Sequence, residues 1–267
     1  MTARRAMAFR ALLLACAALT ASAQQTALAP IRIILVGDST MAVKTGYGPG
    51  FCSYATPAVT CVNMAKGGRS SSSYRAEGSW TQVMEQLKKG SEFKETYVLI
   101  QFGHNDQPGK PGRSTELATE FPANIKRCVD EVKSAGAKPV LVTPLTRRSF
   151  KDGKLNNDLE PWAEATRKVA AEERVPLLDL NKESASAVQR MGPEEANTFA
   201  MGPPPQNVAE TAPSGTSVPV PKAVGPQFDY THLGAKGADY FGGMVAAELA
   251  RAVPELEGYF KLITVLQ

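Results

Sequence analysis

Short apolar runs rich in β-branched residues recur along the chain, and turn-forming residues bound each of them. Continuous apolar runs of this kind are typical of strands that are covered on both faces, as in a parallel sheet. Five of them occur, at 31–37 (IRIILVG), 58–63, 96–103, 138–144 and 175–181. The pattern predicts a central parallel sheet of about five strands.

Amphipathic stretches with helical spacing lie between and after these runs. They predict helices over 79–90, 115–135, 158–173 and 234–251. Strands that alternate with helices predict right-handed crossovers and an α/β fold, a three-layer α/β/α sandwich. In such an open sheet, ligands bind beyond the carboxyl ends of the strands.

Two segments depart from this alternation. Residues 1–23 begin with three arginines, continue with a short apolar run and end in ASA, which is the pattern of a cleaved secretory signal peptide. Residues 191–226 are rich in Pro and Gly and have no periodicity. They favour a long surface loop beside the active-site cleft, and the alternative is a disordered excursion without a role. We expect 24–267 to form a single domain.

Charge changes the picture once the signal peptide is set aside. The formal net charge of the whole chain is +4, and that of the mature chain is near +1. No basic run remains that would indicate nucleic-acid binding, and no apolar run is long enough to span a bilayer. We therefore expect a secreted or periplasmic protein with no nucleic-acid partner and no membrane span.

The cysteines fit export. Cys16 leaves with the signal peptide, and Cys52 and Cys61 bracket a short loop. An oxidising compartment would let these two form a disulfide, the alternative being two free thiols. Cys128 lies in a helical pattern and is interpreted as a small buried residue. No group of Cys and His has zinc spacing, so we expect no metal.

Three residues supply the types that acyl transfer needs. Ser39 follows the first strand, and His232 lies three residues after Asp229 in DYTHLG. A nucleophile, a base and an acid that orients the base form such a site. The alternatives are a serine that merely ends a strand, and Asp229 or Thr231 as the cap of the following helix.

Candidate donors for an oxyanion follow the next two strands. Gly68 offers a backbone N–H and Asn105 a side-chain amide, although both residue types also form ordinary turns. Ser39, Gly68 and Asn105 follow the first, second and third strands, respectively. A parallel sheet brings all three to one edge, which favours the catalytic interpretation.

These blocks, GDS at 37–39, Gly68, GHND at 103–106 and DYTH at 229–232, resemble those of the SGNH or GDSL-type hydrolases. The resemblance implies a flavodoxin-like fold and a monomer that hydrolyses esters without a metal or an organic cofactor. It implies Ser39 as the nucleophile, His232 as the base and Asp229 as its partner. The N–H groups of Ser39 and Gly68 and the side chain of Asn105 would form the oxyanion hole.

Longer blocks are similar to the rhamnogalacturonan acetylesterase branch, namely GDSTMA, NMAKGGRSSSSY, FGHNDQ, TPLTRRSF and DYTHLGAKGA. Related lipases and thioesterases more often have leucine where Thr40 stands. The implied substrate is an acetylated pectic polysaccharide or oligosaccharide. His104 would shape the oxyanion hole or meet the substrate. Arg147 and Arg148 would meet a galacturonate carboxylate, unless they are simply solvated.

Two other functions remain open from the sequence. One is a lipase, arylesterase or thioesterase that acts on small acyl esters. The other is a non-catalytic carbohydrate-binding protein on the same fold.

Overall fold

The computed structural model describes residues 28–203 and 228–261. The signal peptide predicted at 1–23 lies outside the described residues. The strands are β1 (Ile31–Gly37), β2 (Val59–Asn63), β3 (Glu95–Gln101), β4 (Lys138–Val142), β5 (Phe150–Lys151), β6 (Lys154–Leu155) and β7 (Leu177–Leu178). Five of them form the main sheet in the order β2-β1-β3-β4-β7, and every neighbouring pair is parallel. The predicted parallel sheet is confirmed. Strands β5 and β6 form a separate antiparallel hairpin.

Helices cover both faces of the main sheet. They are α1 (Gly48–Tyr54), α2 (Ser73–Ala76), α3 (Ser79–Leu87), α4 (Glu120–Ser134), α5 (Glu160–Glu173), α6 (Leu180–Asn197) and α7 (Ala235–Ala252), followed by a 3₁₀ helix at Pro254–Tyr259. Successive strand residues point to opposite faces. In β1, Ile33 and Leu35 therefore pack with α1, α6 and α7, whereas Ile34 and Val36 pack with α3, α4 and α5. The predicted three-layer α/β/α sandwich is confirmed.

Helix boundaries differ from the prediction where backbone hydrogen bonds or glycines intervene. The helix predicted at 115–135 begins at Glu120, because the N–H of Thr115 donates to the Asp106 carbonyl at 2.9 Å and holds the preceding residues in turns. Helix α3 ends at Leu87, and the chain then turns at Gly90, whose φ is +117°. Only glycine adopts such a φ without strain.

The predicted loop at 191–226 begins too early. Residues 191–197 belong to α6, and 204–226 lie outside the described residues. Gly192 has a φ of +72° and a ψ of 174°, so it kinks the helix, and Pro193 starts the second segment. Proline is tolerated in the first turn of a helix. The Gly-Pro pair that suggested a loop therefore joins two helical segments.

A disulfide ties α1 to β2. Cys52 and Cys61 are bonded, as their spacing allowed, and Cys128 is a free, buried thiol on α4. Helix α1 also packs closely on α7 at Gly242. A β-carbon added at this glycine would lie 2.3 Å from the Phe51 nitrogen, so a larger residue would not fit there. Within 28–203 and 228–261, no helix has the length and apolar content that a membrane crossing requires.

Candidate active site

A cleft of about 400 Å³ opens where the loops after β1, β3 and β4 meet the segment before α7. Its lining residues are Ser39, His104, Asn105, Lys110, Arg147, Phe228, Asp229, Thr231 and His232. The fold thus brings Ser39 and Asn105 together with Asp229 and His232, although these residues come from opposite ends of the chain.

The turn after β1 holds Ser39 at the cleft. Ser39 is 7% exposed, and its carbonyl accepts a hydrogen bond from the Thr45 hydroxyl at 2.6 Å. The Asp38 carboxylate accepts from the Thr40 N–H at 2.9 Å and from the Thr40 hydroxyl at 2.8 Å. Thr40 and Met41 are fully buried, so neither meets a substrate. Thr40 instead joins a polar network inside the domain.

His104 lies behind Ser39 and faces Asp38. Its Nδ1 is 3.3 Å from Asp38 Oδ2, and the residue is only 2% exposed. Both ring nitrogens are shielded from solvent although the residue lines the cleft, so a role of His104 in shaping the oxyanion hole or meeting the substrate stays a prediction. Burial alone would raise the pKa of Asp38, but His104 and the Thr40 donors outweigh it and leave that pKa below its ordinary value.

The predicted oxyanion donors lie beside the serine. A β-carbon added at Gly67 would be 3.8 Å from Ser39 Cβ, which puts the Gly67–Gly68 peptide against the serine. Asn105 Nδ2 donates to the Arg69 carbonyl at 3.0 Å, and Arg113 donates to Asn105 Oδ1 at 3.5 Å. A primary amide has two N–H groups, so Asn105 keeps one for a ligand. Arg113 also donates to the Gly68 carbonyl at 3.3 Å, which links the two donor loops.

Asp106 is a buried carboxylate that joins three loops, and the sequence motif gave it no role. It accepts from the Ser71 hydroxyl at 2.6 Å and the Ser71 N–H at 3.1 Å. It also accepts from the Gly103 N–H and the Thr115 hydroxyl, both at 3.1 Å. Burial raises the pKa of Asp106 to about 6 in spite of these donors. The one feature of the sequence that could have pointed to Asp106 is its position directly after Asn105 in GHND.

Asp229 and His232 form a close pair. His232 Nδ1 is 2.7 Å from Asp229 Oδ2, and Asp229 Oδ1 accepts from the N–H groups of Thr231 and His232 at 2.8 and 2.9 Å. Burial would raise the pKa of Asp229, but these backbone donors and the imidazole lower it overall. The capping interpretation is wrong, because α7 begins at Ala235 after Gly234 and has no side-chain cap. Asp229 instead closes its own turn and contacts Nδ1 of His232, and Nε2 has no hydrogen bond to another described residue.

Of the two adjacent arginines, only one reaches the cleft. Arg148 is fully buried and donates to backbone carbonyls, so its predicted contact with substrate is wrong. Arg147 lines the cleft, where it pairs with Asp158 and donates to Gln107 Oε1 at 2.9 Å. Lys110 lies nearby, and burial, together with Arg147 and Arg113, lowers its pKa. The described residues contain no group of three or more His, Cys, Asp or Glu side chains arranged to hold a metal ion.

Comparison with known families identifies the chain. The GDSL-like Lipase/Acylhydrolase family matches it over residues 35–240, a span that contains every residue of the cleft. The chain belongs to this family. It is therefore a carboxylic ester hydrolase, and the non-catalytic carbohydrate-binding interpretation is wrong.

Proteins named as acetylesterases are similar to this chain over most of its length. Rhamnogalacturonan acetylesterase RhgT of Bacillus subtilis is 32% identical over 225 residues, which cover 81% of this chain and 88% of that protein. A rhamnogalacturonan acetylesterase of Emericella nidulans is 27% identical over 208 residues, which cover 70% of this chain and 80% of that protein.

Solved structures agree on the fold. YxiM of Bacillus subtilis superposes with a TM-score of 0.63 at 24% identity and covers 83% of this chain, which spans only 56% of that longer protein. Axe2, an acetylxylan esterase of Geobacillus stearothermophilus, superposes with a TM-score of 0.54 at 16% identity and covers 83% of this chain and 93% of its own. At these identities the likeness concerns the sandwich fold alone.

Proposed function

We propose that this GDSL-like hydrolase removes O-acetyl groups from an acidic plant cell-wall polysaccharide of the rhamnogalacturonan type. The single observation that carries the proposal is the cleft itself, which sets Ser39 and the Asp229–His232 pair beside a cationic wall formed by Lys110 and Arg147. The similarity to two rhamnogalacturonan acetylesterases points to the same substrate class.

In the proposed mechanism, Ser39 Oγ attacks the acetyl carbonyl while His232 Nε2 takes its proton. Asp229 holds the Nδ1–H of the imidazole and stabilises the imidazolium that forms. The oxyanion accepts hydrogen bonds from the backbone of Ser39 and Gly68 and from Asn105 Nδ2. Collapse releases the sugar hydroxyl, to which His232 returns the proton. Water then attacks the acetyl-enzyme while His232 takes one of its protons; the bond to Ser39 Oγ breaks, His232 returns the proton to Oγ, and acetate leaves.

The cationic wall favours an acidic sugar over a neutral one. Lys110 uses one of its N–H groups on the His104 carbonyl, and an ammonium has three. Arg147 is already paired with the Asp158 carboxylate, so Lys110 is the better group to bind a carboxylate of the substrate. A galacturonate residue next to the acetylated sugar offers such a carboxylate, whereas a xylan backbone does not.

We also propose export and action as a monomeric single domain outside the cytoplasm. The signal-peptide pattern of 1–23 supports this location. The bonded pair Cys52 and Cys61 supports it independently, because disulfides persist in oxidising compartments.

A substrate panel tests the proposal. Acetate release from acetylated pectic oligosaccharides should exceed release from acetylated xylan, and p-nitrophenyl acetate should be preferred to longer acyl chains. Lys110→Gln should raise KM for the pectic substrate about tenfold, the loss of one charge-assisted contact, and leave KM for p-nitrophenyl acetate unchanged. Lys94→Gln is the matched control, because Lys94 is exposed just before β3, at the opposite edge of the sheet.

Two results would overturn parts of this proposal. A preference for long acyl chains would make the protein a lipase or thioesterase of the same family. Equal activity on pectic and xylan substrates, unaffected by Lys110→Gln, would remove the acidic-sugar assignment while leaving ester hydrolysis intact.

A further inference from the structure

Arg148 donates to every carbonyl of the segment that carries Asp229 and His232, residues 229–232, here called the base loop. Its Nη2 donates to the carbonyls of Asp229 and His232 at 3.0 and 2.8 Å. Its Nη1 donates to the Thr231 carbonyl at 3.3 Å, and its backbone N–H donates to the Tyr230 carbonyl at 2.9 Å. Four consecutive carbonyls therefore converge on one buried residue.

This convergence gives the base loop two differently charged sides. Three of its carbonyls accept from the Arg148 guanidinium, while the N–H groups of Thr231 and His232 donate to the Asp229 carboxylate. A guanidinium suits the first task, since it is planar and offers five N–H donors in a fixed fork. Burial lowers the pKa of Arg148 to about 10, so the group still carries its charge at neutral pH.

Arg148 itself is fixed by the sheet. The segment 143–148 follows β4 directly, and all of it except Arg147 is buried. The N–H of Thr146 donates to the Ser184 hydroxyl of α6 at 3.1 Å. Within the described part of the chain, the backbone just after the base loop is held at two points: the Leu233 N–H donates to the Thr45 carbonyl and the Gly234 N–H donates to the Phe199 carbonyl, both at 2.9 Å. Arg148 thus connects the base loop to the end of β4.

We infer that Arg148 is a positioning residue that sets the Asp229–His232 pair against Ser39 without touching the substrate. The inference rests on the catalytic roles proposed for these three residues. On this inference, the alignment of the Asp229–His232 pair in the cleft depends on a cation that does not contact the substrate. Removing the guanidinium should free three of the four carbonyls, let the base loop shift and weaken proton transfer from Ser39. A displacement of about 1 Å in a catalytic group can cost about 100-fold in rate.

Two substitutions and one matched control test the inference. Arg148→Met keeps an unbranched apolar stem but removes the guanidinium and its donors, and Arg148→Lys keeps the charge with fewer directed donors. Arg32→Met is the control, because Arg32 is also buried and donates to a backbone carbonyl, that of Gln86 at 3.0 Å, far from the cleft. Each variant is assayed with p-nitrophenyl acetate, and the downfield proton resonance of the His232–Asp229 hydrogen bond is followed by NMR.

We expect Arg148→Met to lower kcat about 100-fold with KM changed less than about threefold, and to lose or broaden the downfield resonance. Arg148→Lys should recover part of both. Arg32→Met should lower the melting temperature but keep kcat and the resonance. A merely structural role for Arg148 would instead lower the melting temperature alone, as in the control.

Specific results would overturn the inference. One is a folded Arg148→Met with wild-type kcat and an intact resonance. If Arg148→Met does not fold, Arg148→Lys decides, and its retention of full kcat contradicts the inference; if neither folds, Arg148 acts in stability and the inference fails. Ser39→Ala in the same assay separates the two proposals, because activity surviving there refutes the proposed mechanism, whatever Arg148 does.

Discussion

The cleft joins two regions that are fixed in opposite ways. The loops after β1 and β3 bury Ser39 and Asn105 to 7% exposure each, and buried carboxylates hold them by accepting from N–H and hydroxyl groups. The base loop is more open, with side-chain exposures of 32% for His232 and 45% for Asp229, and a buried cation holds it by donating to carbonyls.

The difference follows from how each region reaches the cleft. The register of a parallel sheet delivers strand ends to a common edge, so that a carboxylate needs only to fix the local turn. The base loop comes from a remote part of the chain, and the described residues around it, 228–234, contain no strand that would place it. Arg148 fixes this loop instead, because its guanidinium binds three of the loop's carbonyls and its backbone N–H binds the fourth.

The largest effect should come from removing one group of either region. Ser39→Ala and His232→Ala should each lower kcat by at least about 10³-fold, and the double variant should be no worse than either one. Such non-additivity is expected because the proposed mechanism has the serine and the histidine act as one unit. Steady-state hydrolysis of p-nitrophenyl acetate measures it.

Ser91→Ala is the matched control for the serine, since Ser91 is exposed at the opposite edge of the sheet. Additive losses in the double variant would contradict a shared proton-transfer step.

The next effect concerns the carboxylate of the strand-end region. Asp106→Asn places an amide N–H group against the donors from Ser71, Gly103 and Thr115, so the loops that carry Gly68 and Asn105 should separate. We expect kcat to fall about 10- to 100-fold, because the oxyanion donors lose their alignment. Progress curves at neutral pH measure the loss.

Asp130→Asn, at an exposed carboxylate on α4, is the control and should leave kcat unchanged. An Asp106→Asn enzyme with full kcat would show that the oxyanion loops need no carboxylate to hold them.

The smallest effect concerns stability on the base-loop side. Glu248 on α7 is 5% exposed, and burial, with Glu183 next in importance, raises its pKa to about 7. A carboxyl whose pKa is raised by folding stabilises the fold below its unfolded pKa, and this stabilisation is lost as the pH rises through about 7. Glu248→Gln should therefore be more stable than wild type at pH 8, by at most about 3 kcal/mol, and equal to it at pH 4.

Urea unfolding at several pH values measures this difference, with Glu172→Gln at an exposed site on α5 as the control. A constant difference across the pH range would mean that Glu248 titrates normally and that the gain has another origin.

The contrast between the strand-end loops and the base loop also explains which parts of the site the sequence could predict. Ser39, Gly68 and Asn105 each follow an apolar strand, so a parallel sheet was enough to bring them together. The burial of Arg148 was not predictable, because TRRS resembles an exposed loop. Adjacent residues of an extended segment point to opposite sides, which turns Arg147 to the cleft and Arg148 inward. That choice depends on contacts with residues 229–232, far away in the sequence.

Composition gave a wrong prediction for the start of the loop at 191–226, because the same pair of residues occurs both in loops and in kinked helices. The Gly192–Pro193 pair suggested a loop, yet glycine also permits a kink and proline also begins a helix. Only packing against α7 and the sheet distinguishes these outcomes, and local composition does not report packing.

The order of the strands bears on how this scaffold can change over evolutionary time. Because β1 lies between β2 and β3, the loops after β1 and β3 diverge, and the cleft opens between them. The rim is then completed by the loops after β3 and β4, which supply Lys110 and Arg147. These loops can lengthen, shorten or exchange residues without disturbing the strand that presents Ser39. Substrate preference can thus drift in this lineage while the hydrolytic step is inherited unchanged.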